Sequence, residues 1–409
     1  MKFKKFMRNL IAFALVVCFC LLPASGIIIN VSAQETDYTA ENKAKDFIIS
    51  VYDAKGFTYN NLTTLYSVEL YDEEDNVIAQ ASLFDRDGKI DYAVYNYITA
   101  SIDEYGFDCP DVVSDFPENE KTYYAGIYSY FSKNSGQLRN NSSEQVISEE
   151  QFIARLRDFK QKSYDRYEAK SGNSTKPGNG NNGIINWKEI RENRTSGWEN
   201  TASGYLEGIT CGTTESTSGI NGLALSFKSA DYFQQSGSIT NHCGPTALTN
   251  IMIYYEWLGM NTMLNNSAIS TFYRLRTLCK HDVYCTTYMS DARSAIQTYM
   301  SEMGYSVTLT NFGNEFDQYK EAIDNDKVVL TLLNVVQENG YEWGHYVVTL
   351  GYEEFRQAYE KQILWWTVTE YNYLRYIRVC DGWSTKNQNR YVDLNNFYDS
   401  YLNSAITIN

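Results

Sequence analysis

Cys243 opens the run Cys243-Gly244-Pro245-Thr246-Ala247-Leu248 and stands where a buried helix is expected to begin. A helix N-terminus carries partial positive charge, so a thiol placed there is expected to ionise readily and to act as a nucleophile. Such a thiol needs a base and a group that orients the base. The chain has three histidines. His242 adjoins the cysteine, and neighbouring side chains at a helix start diverge, which makes it a poor base. His281 lies in Cys279-Lys280-His281-Asp282, a charged loop, and is expected to face solvent. His345 follows Trp343-Gly344 and opens the apolar strand Tyr346-Val347-Val348-Thr349-Leu350. That position suits an imidazole at a sheet edge facing a cleft.

Asp381 is the preferred orienting group. It ends the run Tyr376-Ile377-Arg378-Val379-Cys380 and is followed by Gly382-Trp383. Its carboxylate is expected to accept the Nδ1–H of His345 and so set the tautomer. An oxyanion hole needs donors aimed at the developing charge. The N–H of Cys243 supplies one, and a glutamine upstream supplies the other, Gln235 ahead of Gln234. Other chemistries have less support. Cys279, His281 and Cys285 lack an evident fourth zinc ligand. Asp85-Arg86-Asp87-Gly88 lacks the later acidic ligand of a calcium loop and reads as a β-turn. No phosphate loop or dinucleotide fingerprint is present, and no metal or cofactor is expected.

The positioning elements follow from periodicity. Ala44, Phe47, Ile48 and Val51 fall on one face of a helix over 39–54. Runs over Leu65–Leu70, Val77–Phe84 and Ile90–Thr99, split by turn chemistry, predict an antiparallel meander. Thr122–Phe131 predicts one more strand. Ser148 and Gln151 form a capping box that opens a helix with Phe152, Ile153, Leu156 and Phe159 on its apolar face. Residues 171–183 hold no apolar side chain and predict a flexible linker. Beyond it come the helix after Cys243, helices near Asp291–Met303 and Phe316–Ile323, and strands at Val328–Val336 and His345–Gly351. Ile363–Val368 with Leu374–Cys380 predicts a hairpin, and Tyr391–Leu394 a short strand. Helices first and antiparallel strands after give an α+β layout.

Residues 1–33 read as a secretory signal: Lys2, Lys4, Lys5 and Arg8, an apolar run from Leu10 to Leu22, then Val31-Ser32-Ala33. The expected domains are therefore 1–33 as signal, 34–170 as an N-terminal domain, 171–183 as linker and 184–409 as the catalytic unit. No later stretch is long and apolar enough to span a bilayer. A secreted or extracellular monomer is expected. The 35 basic and 50 acidic residues give a net charge of −15, which argues against nucleic acid as a partner. The cysteines after Ala33 are too sparse for a disulfide scaffold.

The motifs Cys243-Gly244-Pro245-Thr246-Ala247 with Asn250, Gly344-His345-Tyr346-Val347-Val348 with Gly351-Tyr352, and Asp381-Gly382-Trp383 resemble a papain-fold cysteine peptidase. The pattern is similar to the bacterial double-glycine (bacteriocin-leader) peptidase-like family, over roughly residues 230–409. The resemblance implies Cys243 as nucleophile, His345 as base, Asp381 as orienter, an upstream glutamine in the oxyanion hole, and a protein or peptide substrate. Gly237 occupies the place six residues before Cys243 where papains carry that glutamine. Residues 34–170 resemble the pro-regions of secreted cysteine peptidases such as streptopain, which implies synthesis as an inactive precursor; the alternative for this region is an adhesion or substrate-binding module. Two alternatives stay open: a cell-wall amidase acting on peptidoglycan stem peptides, and a non-catalytic surface-binding protein with a relict site.

Overall fold

The apolar stripe of the first helix, α1 (Ala40–Lys55), is buried through Ala44, Phe47, Ile48 and Val51. Phe47 meets the rings of Tyr105, Phe355 and Tyr376. The computed structural model describes residues 39–134, 136–142, 146–171, 193–194, 197–206, 208–211, 225–226, 242–281, 287–311, 315–338, 341–363, 366–383, 389–394 and 404–408. The signal segment, the linker beyond Ser171, and Gln234, Gln235 and Cys285 lie outside these.

The meander forms β1 (Leu62–Tyr71), β2 (Val77–Arg86) and β3 (Lys89–Asn96), each antiparallel to the next. Asp72 Oδ1 accepts the N–H groups of Glu74 and Asn76 in the first turn. The second turn places Asp87 at φ 53° and Gly88 at φ 86°, and Asp85 accepts the N–H of Gly88. A fourth strand, β4 (Ser101–Phe107), continues the sheet and is buried along its whole length. It lacks polar–apolar alternation because it carries Asp103 and Glu104 into the interior. Asp103 is held by Asn96 and Tyr124.

Thr122–Phe131 is not one strand. It divides into β5 (Thr122–Tyr124) and the start of β6 (Tyr130–Asn134), which pair antiparallel. The corner closes through Ala125 N–H to Ser129 O and Ser129 N–H to Gly126 O, both 2.9 Å. Gly126 sits at φ 101° and Tyr128 at φ 59°. A tyrosine in left-handed backbone is uncommon and costs free energy. The helix α2 (Glu149–Ser171) follows, with both capping-box bonds formed between Ser148 and Gln151.

The second half supplies α3 (Cys243–Trp257), α4 (Ala268–Leu278), α5 (Met289–Glu302) and α6 (Phe316–Asp324). Every α3 residue from Gly244 to Tyr255 is buried, as expected for a helix that is apolar nearly all round. Helix α4, not anticipated from the sequence, starts at Ser267, whose side chain accepts the N–H of Ser270. Strand β7 (Glu199–Tyr205) precedes these helices; β8 (Val329–Glu338), β9 (Tyr341–Ile363), β10 (Trp366–Cys380) and β11 (Asn389–Asp393) follow them. The strands expected over His345–Gly351 and Leu374–Cys380 are the inner parts of one long hairpin, β9–β10. It is registered from Val348↔Cys380 to Ile363↔Trp366 with one shift after Thr349. The stretch after Glu353 therefore extends the hairpin.

One sheet joins both halves. Its order is β8-β9-β10-β11-β4-β3-β2-β1-β5-β6, with short strands flanking both ends and β7 on β9. The joint between β11 and β4 pairs Asn389–Val392 with Glu104–Phe107. Tyr105 stacks on Tyr391 there, ring centroids 4.8 Å apart. Residues 40–409 accordingly cluster as one unit, a mixed architecture of a large sheet with several helices.

The joint leaves no spare room. A Cβ on Gly106 would lie 2.6 Å from Tyr92 Cε1, 2.8 Å from Cys109 Sγ and 3.1 Å from the main-chain oxygen of Asn389. Gly106→Ala is expected to destabilise the chain by ~1–3 kcal/mol, the usual cost of overpacking. A lowered thermal midpoint checks this; an unchanged midpoint would show that the strands can part freely.

Candidate active site

Cys243 is the first residue of α3, with His242 before it at φ −94°, ψ 23°. Pro245 falls in the first turn, where a missing N–H costs nothing. Thr246 N–H closes that turn on His242 O at 3.0 Å. Glycine at 244 is required by contact: a Cβ would approach Thr287 Oγ1 to 2.8 Å. Cys243 is partly exposed. Burial nevertheless pushes its thiol above the ordinary cysteine value, against the N–H groups of Tyr346, Gly244 and Cys243 itself, which favour the thiolate. The helix-start donors expected from the sequence are present, but desolvation outweighs them. The Tyr346 contact sets the sulfur against the residue that follows His345.

His345 lies opposite Leu333 in the β8–β9 ladder and is 5 % exposed. Gly344 before it allows close packing, since a Cβ there would meet Leu332 Cδ1 at 2.7 Å. His345 Nε2 lies 2.7 Å from the main-chain oxygen of Asp381. A carbonyl only accepts, so Nε2 carries the proton and Nδ1 presents its lone pair. The contact thus differs from the one expected: it uses Nε2 and the carbonyl, not Nδ1 and the carboxylate. Among the described residues Nδ1 has no hydrogen-bond partner.

The Asp381 carboxylate is engaged elsewhere. Oδ1 accepts the N–H of Trp383 at 2.9 Å, and Oδ2 lies 3.6 Å from Arg390 Nε. Gly382 supplies the positive φ of this turn, 73°. A Cβ there would stand 3.1 Å from Thr246 Cγ2, so the turn leans on α3. The Trp383 ring stacks on the imidazole, centroids 3.4 Å apart at 18°. Tyr128 meets both rings edge-on, at 5.5 Å and 5.7 Å. This enclosure has an electrostatic consequence. Burial pushes His345 down to about 4, with Asp381 opposing that shift and Arg390 adding to it. Thiol and imidazole are therefore both held in their neutral forms.

The other two histidines are also buried. His242 is buried with its ring edge-on to Phe272. His281 is buried at 2 % exposure, not in solvent as its charged neighbours suggest. Gln234 and Gln235 lie outside the described residues. No group of metal-ligating side chains occurs among the described residues, and no described helix is long and apolar enough to cross a membrane.

Two contributors escaped the sequence. The strand pattern over Thr122–Phe131 places Tyr128 in mid-strand, and Arg390 is one arginine among many. The available hint for Tyr128 was Gly126 two residues earlier, a turn former inside an apparent strand. For Arg390 the sequence held no local signal.

Residues 227–406 match the model of the Peptidase_C39 like family. That span holds Cys243, His345, Asp381 and Arg390, and the match supports a papain-fold, cysteine-peptidase-like family for this part of the chain. No curated protein matches the chain.

Proposed function

We propose that the protein is a secreted cysteine peptidase, made as an inactive precursor, that hydrolyses peptide bonds through Cys243, His345 and Asp381. The observation that carries this reading is the His345 Nε2 bond to Asp381 O beneath Trp383, beside the helix start that bears Cys243. With the proton fixed on Nε2, Nδ1 is the atom that takes the proton of the Cys243 thiol. The sulfur then attacks the substrate carbonyl carbon. The developing oxyanion is met by the Cys243 N–H and by an upstream glutamine, Gln235 or Gln234. His345 returns the proton to the leaving amine, and water hydrolyses the thioester.

The precursor state is supported by the same geometry. Tyr128, from the N-terminal region, packs on the imidazole, and burial disfavours the thiolate–imidazolium pair that would react. The signal-like segment 1–33 directs the precursor out of the cell.

The experiment is a paired assay on protein purified from culture medium. Casein hydrolysis by the activated form, with covalent labelling of Cys243 by iodoacetamide, is the expected result. Digestion of peptidoglycan stem peptides without casein hydrolysis would replace the peptidase by an amidase. Neither activity, with Cys243 unreactive across the pH range, would leave a binding protein.

A further inference from the structure

We infer that Arg390 is a positioning residue for His345 and that Asp115, from the N-terminal region, anchors it. The inference rests on the peptidase reading for its consequence and on separate geometry for its content. Arg390 is 4 % exposed. Its Nη2 donates to Asp115 Oδ2 at 2.9 Å, while its Nε faces Asp381 Oδ2 at 3.6 Å. One guanidinium thus spans a carboxylate from each half of the chain. The rings of Tyr128 and Tyr92 lie 5.1 Å and 5.8 Å from it.

The link to His345 runs through the Asp381 peptide. The imidazole is bound by the Asp381 carbonyl, so the direction of that carbonyl decides which ring nitrogen holds the proton. The side chain of Asp381 is tied at both oxygens, by Trp383 N–H and by Arg390. Fixing the carboxylate fixes the residue, and the carbonyl with it. Arg390 cannot drift, because Asp115 holds its far side and the β11–β4 ladder holds its backbone opposite Gly106. A planar fork of donors suits this two-way contact, and a lysine does not reproduce it. Within the N-terminal region, cover and clamp are then different residues: Tyr128 covers the ring, and Asp115 clamps the arginine that aligns it. Activation needs the Tyr128 corner to move, while Asp115 stays.

The test uses the full-length chain and the variants Arg390→Lys and Asp115→Asn, with folding checked by thermal melting. Nitrogen-15 NMR of the three histidines reports the tautomer of His345 without requiring activity. Wild type is expected to show a single Nε2–H tautomer, and both variants a mixture. In the active form, kcat is expected to fall ~10- to 100-fold with KM little changed, the scale of a slightly misplaced reacting group. Should Arg390→Lys fail to fold, Asp115→Asn carries the test. A folded variant that keeps the single tautomer overturns the clamp, whether or not kcat falls. A wild type without hydrolysis, whose tautomer still loosens in the variants, overturns the peptidase reading and leaves the clamp standing.

Discussion

Cys243→Ala is expected to lower hydrolysis by at least ~10⁴-fold while leaving the thermal midpoint nearly unchanged. The thiol is the bond-forming atom, and no other described cysteine can take its place. Cys109, Cys211, Cys279 and Cys380 are fully or almost fully buried, and the thiols of Cys109, Cys279 and Cys380 are pushed well up by desolvation or by a neighbouring thiol. His345→Ala is expected to cost about as much, because Nδ1 is the proton acceptor in the proposed step. It should also cost ~1–3 kcal/mol of stability, since the Asp381 carbonyl loses its donor inside the protein. The double variant should be no slower than either single one, as residues acting as one unit are not additive. Casein hydrolysis assays on the active form, with melting curves alongside, check all three variants. Hydrolysis retained in Cys243→Ala would remove this residue from the chemistry, and a double variant slower by the product of the single losses would mean that the two act independently.

Local chemistry was the legible part of this chain. Glycine-proline after Cys243 announced a helix start, and the scarcity of histidine singled out His345 as the candidate base, whose ring lies against the Asp381 carbonyl. The capping box at Ser148 was readable because its partner Gln151 stands three residues on, and the stripe of α1 because its members recur at three- and four-residue spacing. Non-local pairing was hidden. Strand β4 has no alternation, since both of its faces are covered, and its carboxylates look like surface residues until Asn96 and Tyr124 are seen against Asp103. Arg390 reaches Asp115 only because β11 pairs with β4, a contact between segments far apart in sequence. Even at the site, burial reversed an inference from local rules: the helix-start N–H groups reach the Cys243 sulfur, yet the thiol is raised. Desolvation depends on what covers the site, and part of the cover comes from the other half of the chain.

Removing that cover should therefore switch the reactivity of the thiol. Tyr128→Gly is expected to move the pH profile of Cys243 alkylation toward lower pH in the full-length chain. Tyr128 packs on the imidazole, and burial is the main reason that His345 is depressed to about 4. Admitting water weakens that effect and lets the ring rise toward its usual value near 6.5. An imidazolium beside the sulfur then favours the thiolate, so the thiol falls as the imidazole rises. In the wild type both groups stay neutral through the neutral range, and alkylation by iodoacetamide should climb only at alkaline pH. In the variant an alkylation plateau should open between the two values, with a rate at pH 7 higher by ~10-fold or more, since each unit of thiol pKa changes the thiolate fraction by that factor. Glycine is the suitable replacement because Tyr128 sits at φ 59°, a conformation glycine adopts without strain. The main-chain bonds that close the corner do not use the tyrosine side chain. Its hydroxyl is also buried without a hydrogen-bond partner among the described residues, so little polar bonding is lost with the ring. An alkylation profile identical to wild type, in a variant that melts at a similar temperature, would mean that Tyr128 does not hold the site in its neutral form.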